Sequence, residues 1–198
     1  KAVTPQRPLP AERTFRSAAV DAAIVRISRD IADPELRSLF ERCLPNTLDT
    51  TVRFNETPEG PDTFVITGDI PAMWLRDSTA QVWPYLPFVN EDAALQAMFR
   101  GLIRRQTQCI LLDPYANAFN DGPGESPWSG DHTAMRPELH ERKWEIDSLC
   151  YAVRLAHGFW KTTGDGSIFT EEWKNAAARI VTTFREQQRK TGPGPYRF

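Results

Sequence analysis

The run Gly-Asp-Ile-Pro-Ala-Met-Trp-Leu-Arg-Asp-Ser at 68–78 leaves few architectures open, because one kind of backbone must stop there and another begin. Ahead of it, residues 63–67 have the β-branched and aromatic composition of a strand, which Gly68 and Pro71 break. Beyond it, residues 79–83 read as a helix that Asp77 or Ser78 can cap through a side-chain oxygen. The reading is a strand that runs into the mouth of a helix.

The rest of the chain is mostly helical in its apolar period. Val20, Ile24, Ile27 and Ile31 fall on one stripe, and Pro34 suits the first turn of a second helix. That helix is expected to bury Leu36, Leu39, Phe40 and Cys43 and to end or kink at Pro45. From Thr51 the period falls to about two: Val52 and Phe54 lie before a turn at 58–61 and Phe64 to Ile66 after it, which predicts a β-hairpin. A longer helix is predicted over 91–112, with Leu95, Met98, Phe99, Leu102, Ile103 and Ile110 inside and Arg100, Arg104 and Arg105 outside. The arginine spacing fits a solvated helix face better than a phosphate site.

Two further helices form a hairpin around a turn at Gly164, Asp165 and Gly166. The first, capped by Asp147 or Ser148, is expected to bury Leu149, Cys150, Val153, Ala156 and Trp160. The second, capped by Thr170, is expected to bury Trp173, Ala177, Ile180, Val181 and Phe184. Residues 1–12, with Pro5, Pro8 and Pro10, read as an extended arm, and 191–195 as turn or linker. The fold class is therefore mainly α, with one small β-hairpin.

A net charge of −2, from 24 basic against 26 acidic residues, points away from nucleic acid and towards a neutral partner. No apolar run approaches the roughly 18 residues of a membrane span. Cys43, Cys109 and Cys150 each sit in a helical pattern and read as buried free thiols. Asn55-Glu56-Thr57 is a glycosylation sequon. Together with the Pro-rich N-terminus it makes a secreted protein the expectation, with the cytoplasm, which three free thiols would favour, as the alternative.

Residues 113–143 show no period and hold four prolines and three glycines, so they read as a loop of unusual length, a kind that often lines an active site. Tyr115, Asn117, Phe119, Asn120 and later Trp128 alternate aromatic faces with amides, as a sugar pocket does, although Asn117 and Asn120 also suit turns. His132 and His140, with Asp131, Glu138 and Glu141 near them in sequence, match no compact metal-ligand spacing. No nucleophile and base pair is recognisable, nor any phosphate loop.

In the 68–78 run, Arg76 brings a rigid fork of donors, Asp77 brings acceptors for two hydroxyls and Trp74 brings a flat apolar face. That trio suits a sugar ring, though a helix cap, a surface ion pair and a core indole would account for the same residues singly. Carboxylates suited to glycosidic bond cleavage are Asp69, Asp77, Glu145 and Asp147, which the sequence alone does not pair.

Three blocks in one order, at 68–78, 113–120 and 141–151, resemble the glycoside hydrolase family 125 exo-α-1,6-mannosidases, the metal-independent α-mannosidases. The resemblance covers about residues 30–190. It implies the N-terminal segment of a single (α/α)6 catalytic domain over 1–198, without cofactor or metal, that releases terminal α-1,6-linked mannose with inversion. It also implies that Trp74, Arg76 and Asp77 grip the terminal sugar and that Asn117, Asn120, Glu145 and Asp147 line or support the pocket. The family's general acid and general base fall in blocks absent from these residues, so none of the catalytic pair is expected here. The implied partners are a mannose-containing oligosaccharide, mannan or N-glycan, and the remainder of the catalytic domain, whose absence would leave helix faces uncovered. Another exo-acting α-glycosidase on the same barrel, or a noncatalytic carbohydrate-binding module, are the competing readings.

Overall fold

A computed structural model describes residues 7–198. Of the expected N-terminal arm, residues 1–6 lie outside the described part, and Pro10–Glu12 forms a turn of 3-10 helix in place of extended chain. Helix α1, Ala18–Ser28, is capped by Ser17 and buries Val20 and Ile24, but it ends before Ile31. Helix α2, Pro34–Cys43, starts at Asp33, whose carboxylate accepts from the N–H groups of Glu35 and Leu36. Its expected buried face is a correction. Leu36, Leu39 and Cys43 are exposed, because among the described residues α2 packs mainly on α1 and nothing covers its apolar stripe.

After a short helix α3, Asn46–Thr50, strands β1, Val52–Thr57, and β2, Gly60–Val65, form the expected antiparallel hairpin, with Val52 opposite Val65. Strand β3, Met73–Trp74, leads directly into α4, Leu75–Val82. A nine-residue 3-10 helix, Trp83–Glu91, then connects to α5, Ala93–Leu112. Asp92 caps α5 and also accepts from Ser17 Oγ, so one carboxylate ties the starts of α1 and α5 together.

Helix α5 is the centre of the packing. Its six predicted core residues are all buried, and it lies against β2 so closely that a Cβ on Gly101 would meet Thr63 Oγ1 at 2.5 Å and the backbone of Asp62 and Thr63 at 3.0 Å. Its arginines do not form a solvated face. Arg105 makes a bidentate pair with Asp62, Arg100 reaches Asp165 at 2.8 Å, and Arg104 points at the hairpin turn carbonyls of Gly60 and Pro61.

The long connection contains two short strands that its sequence gave no sign of, β4, Ala118–Phe119, and β5, Leu139–Glu141. With β3 they make a three-stranded antiparallel sheet in the order β3-β4-β5. Helix α6, Ile146–Thr163, ends at Gly164, whose φ of 73° is a left-handed C-terminal conformation. Helix α7, Glu171–Gln187, is capped by Thr170 as predicted.

The inner face of α6 is a second correction, since it buries Ala152, Leu155 and Phe159 with Leu149 and Ala156, while Cys150, Val153 and Trp160 are exposed. On α7, Ala176 and Ile180 are buried, Trp173 and Phe184 pack against the core, and Val181 is exposed. Of the three thiols, all unpaired, Cys109 alone is buried. Burial pushes its pKa to about 12. Asn55 is exposed on β1, and no helix among the described residues is long and apolar enough to cross a membrane.

Candidate functional site

Three elements converge where β3 enters α4. Trp74 N-caps α4 with extended backbone and no side-chain cap bond, so neither Asp77 nor Ser78 caps it: they are the third and fourth helical residues. The helix begins early because Trp74 pairs with Ala118 of β4 and the N–H of Leu75 donates to Asn117 O, a long-range tie that fixes the entry point. Ser78 instead turns inward, where its hydroxyl donates to Leu75 O and accepts from Gln106 Nε2.

Leu75 is buried, and Arg76 is left half-buried on the outer side. Its Nη1 reaches Glu145 Oε2 at 2.7 Å and Asp147 Oδ2 at 3.3 Å, and its Nη2 reaches Asp77 Oδ2 at 3.3 Å. Burial works to lower the pKa of Arg76, but Asp77, Glu145 and Asp147 outweigh it and leave the guanidinium raised. Glu145 occupies the N-cap position of α6 and Asp147 lies in its first turn, neither as a side-chain cap. Four of the seven expected pocket residues therefore meet or adjoin at one point: Arg76 with Asp77, Glu145 and Asp147.

The two asparagines take supporting places. Asn117 is buried, its Oδ1 accepts from Lys143 N at 3.0 Å and its Nδ2 faces Glu141 Oε1 at 3.4 Å, so it fastens the segment that leads to Glu145. Asn120 Nδ2 donates to Pro137 O and Leu139 O, which turns Oδ1 to His140 Nδ1 at 3.1 Å. Nδ1 must then carry the proton, since a carbonyl oxygen only accepts. Tyr115 and Phe119 are buried core residues and not pocket walls.

Trp74 packs edge-on against His140, with centroids 5.3 Å apart, and forms one wall of an open cleft of about 720 Å3. Asp69, Asn120, Trp128, His140 and Glu141 also line it. Burial lowers the pKa of His140. His132 is exposed, and no group of three or more His, Cys, Asp or Glu side chains among the described residues is placed to hold a metal ion.

Sequence reasoning missed Arg142. It is buried against the stacked rings of Tyr115 and Tyr196, pairs with Asp113 at 2.8 Å and donates to Thr133 Oγ1 at 2.7 Å. Tyr196 Oη accepts from Trp144 N at 3.1 Å, so the segment just ahead of Glu145 is held from both sides. An arginine amid charged residues gave no local sign of this burial.

The family model for metal-independent α-mannosidases matches residues 33–198. The meiotically up-regulated gene 157 protein of Schizosaccharomyces pombe is 40% identical over 192 residues, which cover 92% of this chain and 38% of that protein. A solved structure from Streptococcus pneumoniae, from work on metal-independent α-mannosidases, superposes with a TM-score of 0.83 at 41% identity, over 92% of this chain and 43% of that one. That protein was captured in a non-productive substrate complex with α-1,6-mannobiose. The chain thus spans well under half the length of these relatives.

A mainly α fold with a small β-hairpin, matched by that structure over 92% of the chain, together with the family model places the chain among the glycoside hydrolases. Within that class it belongs to glycoside hydrolase family 125, the metal-independent α-mannosidases.

Proposed function

We propose that the protein to which these residues belong removes terminal non-reducing α-1,6-linked mannose from mannan or N-glycan branches, with inversion and without a metal. The observation that carries this is the convergence of Asp77, Glu145 and Asp147 on Arg76, two residues along the chain from Trp74. Three carboxylates around one guanidinium leave the cluster net negative. Such a site accepts the hydroxyl protons of a neutral sugar and favours the positive charge that grows on the anomeric carbon as the glycosidic bond breaks.

In this reading Asp77 accepts from two hydroxyls of the terminal mannose, and Arg76 donates to one of them while it holds the carboxylates in place. Trp74 covers the apolar face of the ring, and Asn117 and Asn120 support the wall. Inversion requires an acid to protonate the leaving oxygen and a carboxylate to activate water, the two about 6.5–9.5 Å apart. We assign neither step to the residues described, and place both in the remainder of the catalytic domain, against which the exposed faces of α2, α6 and α7 would pack. The α-1,6-mannobiose bound to the pneumococcal relative supports the linkage.

The test is a proton NMR time course of α-1,6-mannobiose with the full-length protein, run with and without prolonged chelator treatment. β-Mannose should appear first and at equal rates in both samples. First-formed α-mannose would refute inversion, loss of activity restored by calcium or zinc would refute metal independence, and preference for a glucoside would refute the mannosidase reading.

A further inference from the structure

The cleft beside Trp74 has a second aromatic wall that the grip on a terminal sugar does not use. Its volume of about 720 Å3 lies within the roughly 300–1,000 Å3 of ordinary small-molecule sites, and Trp128 lines it together with Trp74. Trp128 sits in the long connection, yet it is firmly held. Its backbone N–H donates to Ser126 Oγ at 3.0 Å, its backbone carbonyl accepts from Asp131 N at 3.1 Å, and Ser126 Oγ in turn donates to His140 O. Lys143 Nζ lies 3.8 Å from the centre of the indole ring, so one face is already covered by a cation.

Trp128 nevertheless stays 39% exposed. Core packing does not require an indole held in this way. An aromatic face fixed from behind and open in front is a preformed platform for the C–H face of a sugar. The charges around the cleft narrow the choice of ligand. Of the carboxylates that line it, Asp121 pairs with Arg53 at 3.3 Å and with Arg105 at 3.2 Å and Glu141 lies 3.7 Å from Lys143 Nζ, while Asp69 and Glu125 have no ion-pair partner among the described residues, so the rim stays acidic. An acidic rim accepts hydroxyl protons and repels phosphate.

We propose that this cleft holds the part of the substrate beyond the terminal mannose, with Trp128 stacked on a sugar ring there, and that it selects neutral mannose chains over phosphorylated ones. The proposal rests on the mannosidase reading for its orientation, and its test separates the two. In the full-length protein, Trp128→Ala should lower the ratio of kcat/KM for α-1,6-mannotriose to that for an aryl α-mannoside by about threefold to tenfold, the worth of one aromatic contact. The loss should fall on KM for the trisaccharide, and Trp128→Phe should restore most of it.

Calorimetric titration with the trisaccharide should show weaker binding to Trp128→Ala, and a phosphorylated trisaccharide should bind the unmutated protein several-fold less tightly than the neutral one. An unchanged substrate ratio would overturn the role of Trp128, and equal binding of the phosphorylated chain would overturn the selection for neutral ligands. Should the full-length protein hydrolyse no mannoside, the mannosidase reading falls while the titration still decides the cleft. Trisaccharide binding that depends on Trp128 upholds the cleft as a sugar site, and absent or independent binding ends it.

Discussion

At His140 one protonation state is built into the wall of the cleft. Nδ1 donates to Asn120, Trp74 packs on the ring, and burial holds its pKa below the ordinary 6.5, so the fold favours the neutral ring. Above that value both folded and unfolded states are neutral and the stability is complete. As the pH falls below about 6.5, the unfolded chain takes up the proton first and stability is lost until the folded pKa is passed. A thermal melt series from pH 7.5 to 5 should therefore show Tm falling below pH 6.5, and less steeply in His140→Gln. Equal slopes in the two proteins would remove His140 from this role. Neither this wall nor buried Arg142 was legible locally, because both depend on partners far along the chain. Arg76, Asp77, Glu145 and Asp147 could be named from their sequence blocks, but their shared contact could not.

Among the elements, those whose sequence offers only one solution came out as expected. The β1-β2 hairpin follows its period of two, α5 buries its predicted stripe, and Thr170 caps α7. Helix α6 is apolar on two stripes, Leu149-Val153-Ala156-Trp160 and Ala152-Leu155-Phe159, so periodicity alone cannot choose between them, and packing chose the second with Leu149 and Ala156. The start of α4 was misplaced for another reason: two-residue strands such as β3 and β4 leave no pattern, yet their pairing sets where the helix begins. The approach of α5 to β2 gives a prediction at this scale. Gly101→Ala should cost about 1–3 kcal/mol in denaturant unfolding despite the better helix propensity of alanine, because the new methyl meets backbone that cannot swing aside. A neutral or stabilising result would mean that the two elements are less closely packed than described.

The whole molecule presents apolar side chains on the outside of its helices, Leu36 and Leu39 on α2, Ile146, Val153 and Trp160 on α6, and Val181 on α7. These faces, uncovered among the described residues, go with relatives of which the chain spans only 38% and 43%. The pocket is thus to be tested in the full-length protein. The substitution Asp77→Asn bears most directly on it, because the structure removes one competing role for this residue: Asp77 does not cap α4. Hydrogen bonds to a charged group are worth about 1.5–3 kcal/mol, so kcat/KM on α-1,6-mannobiose should fall by roughly tenfold to a hundredfold. Tm should change little, since Asp77 is partly exposed and its ion pair with Arg76 is shared with Glu145 and Asp147. Near-normal turnover in a protein of unchanged Tm would contradict the account, and would show that the terminal mannose is held somewhere other than at Arg76 and Asp77.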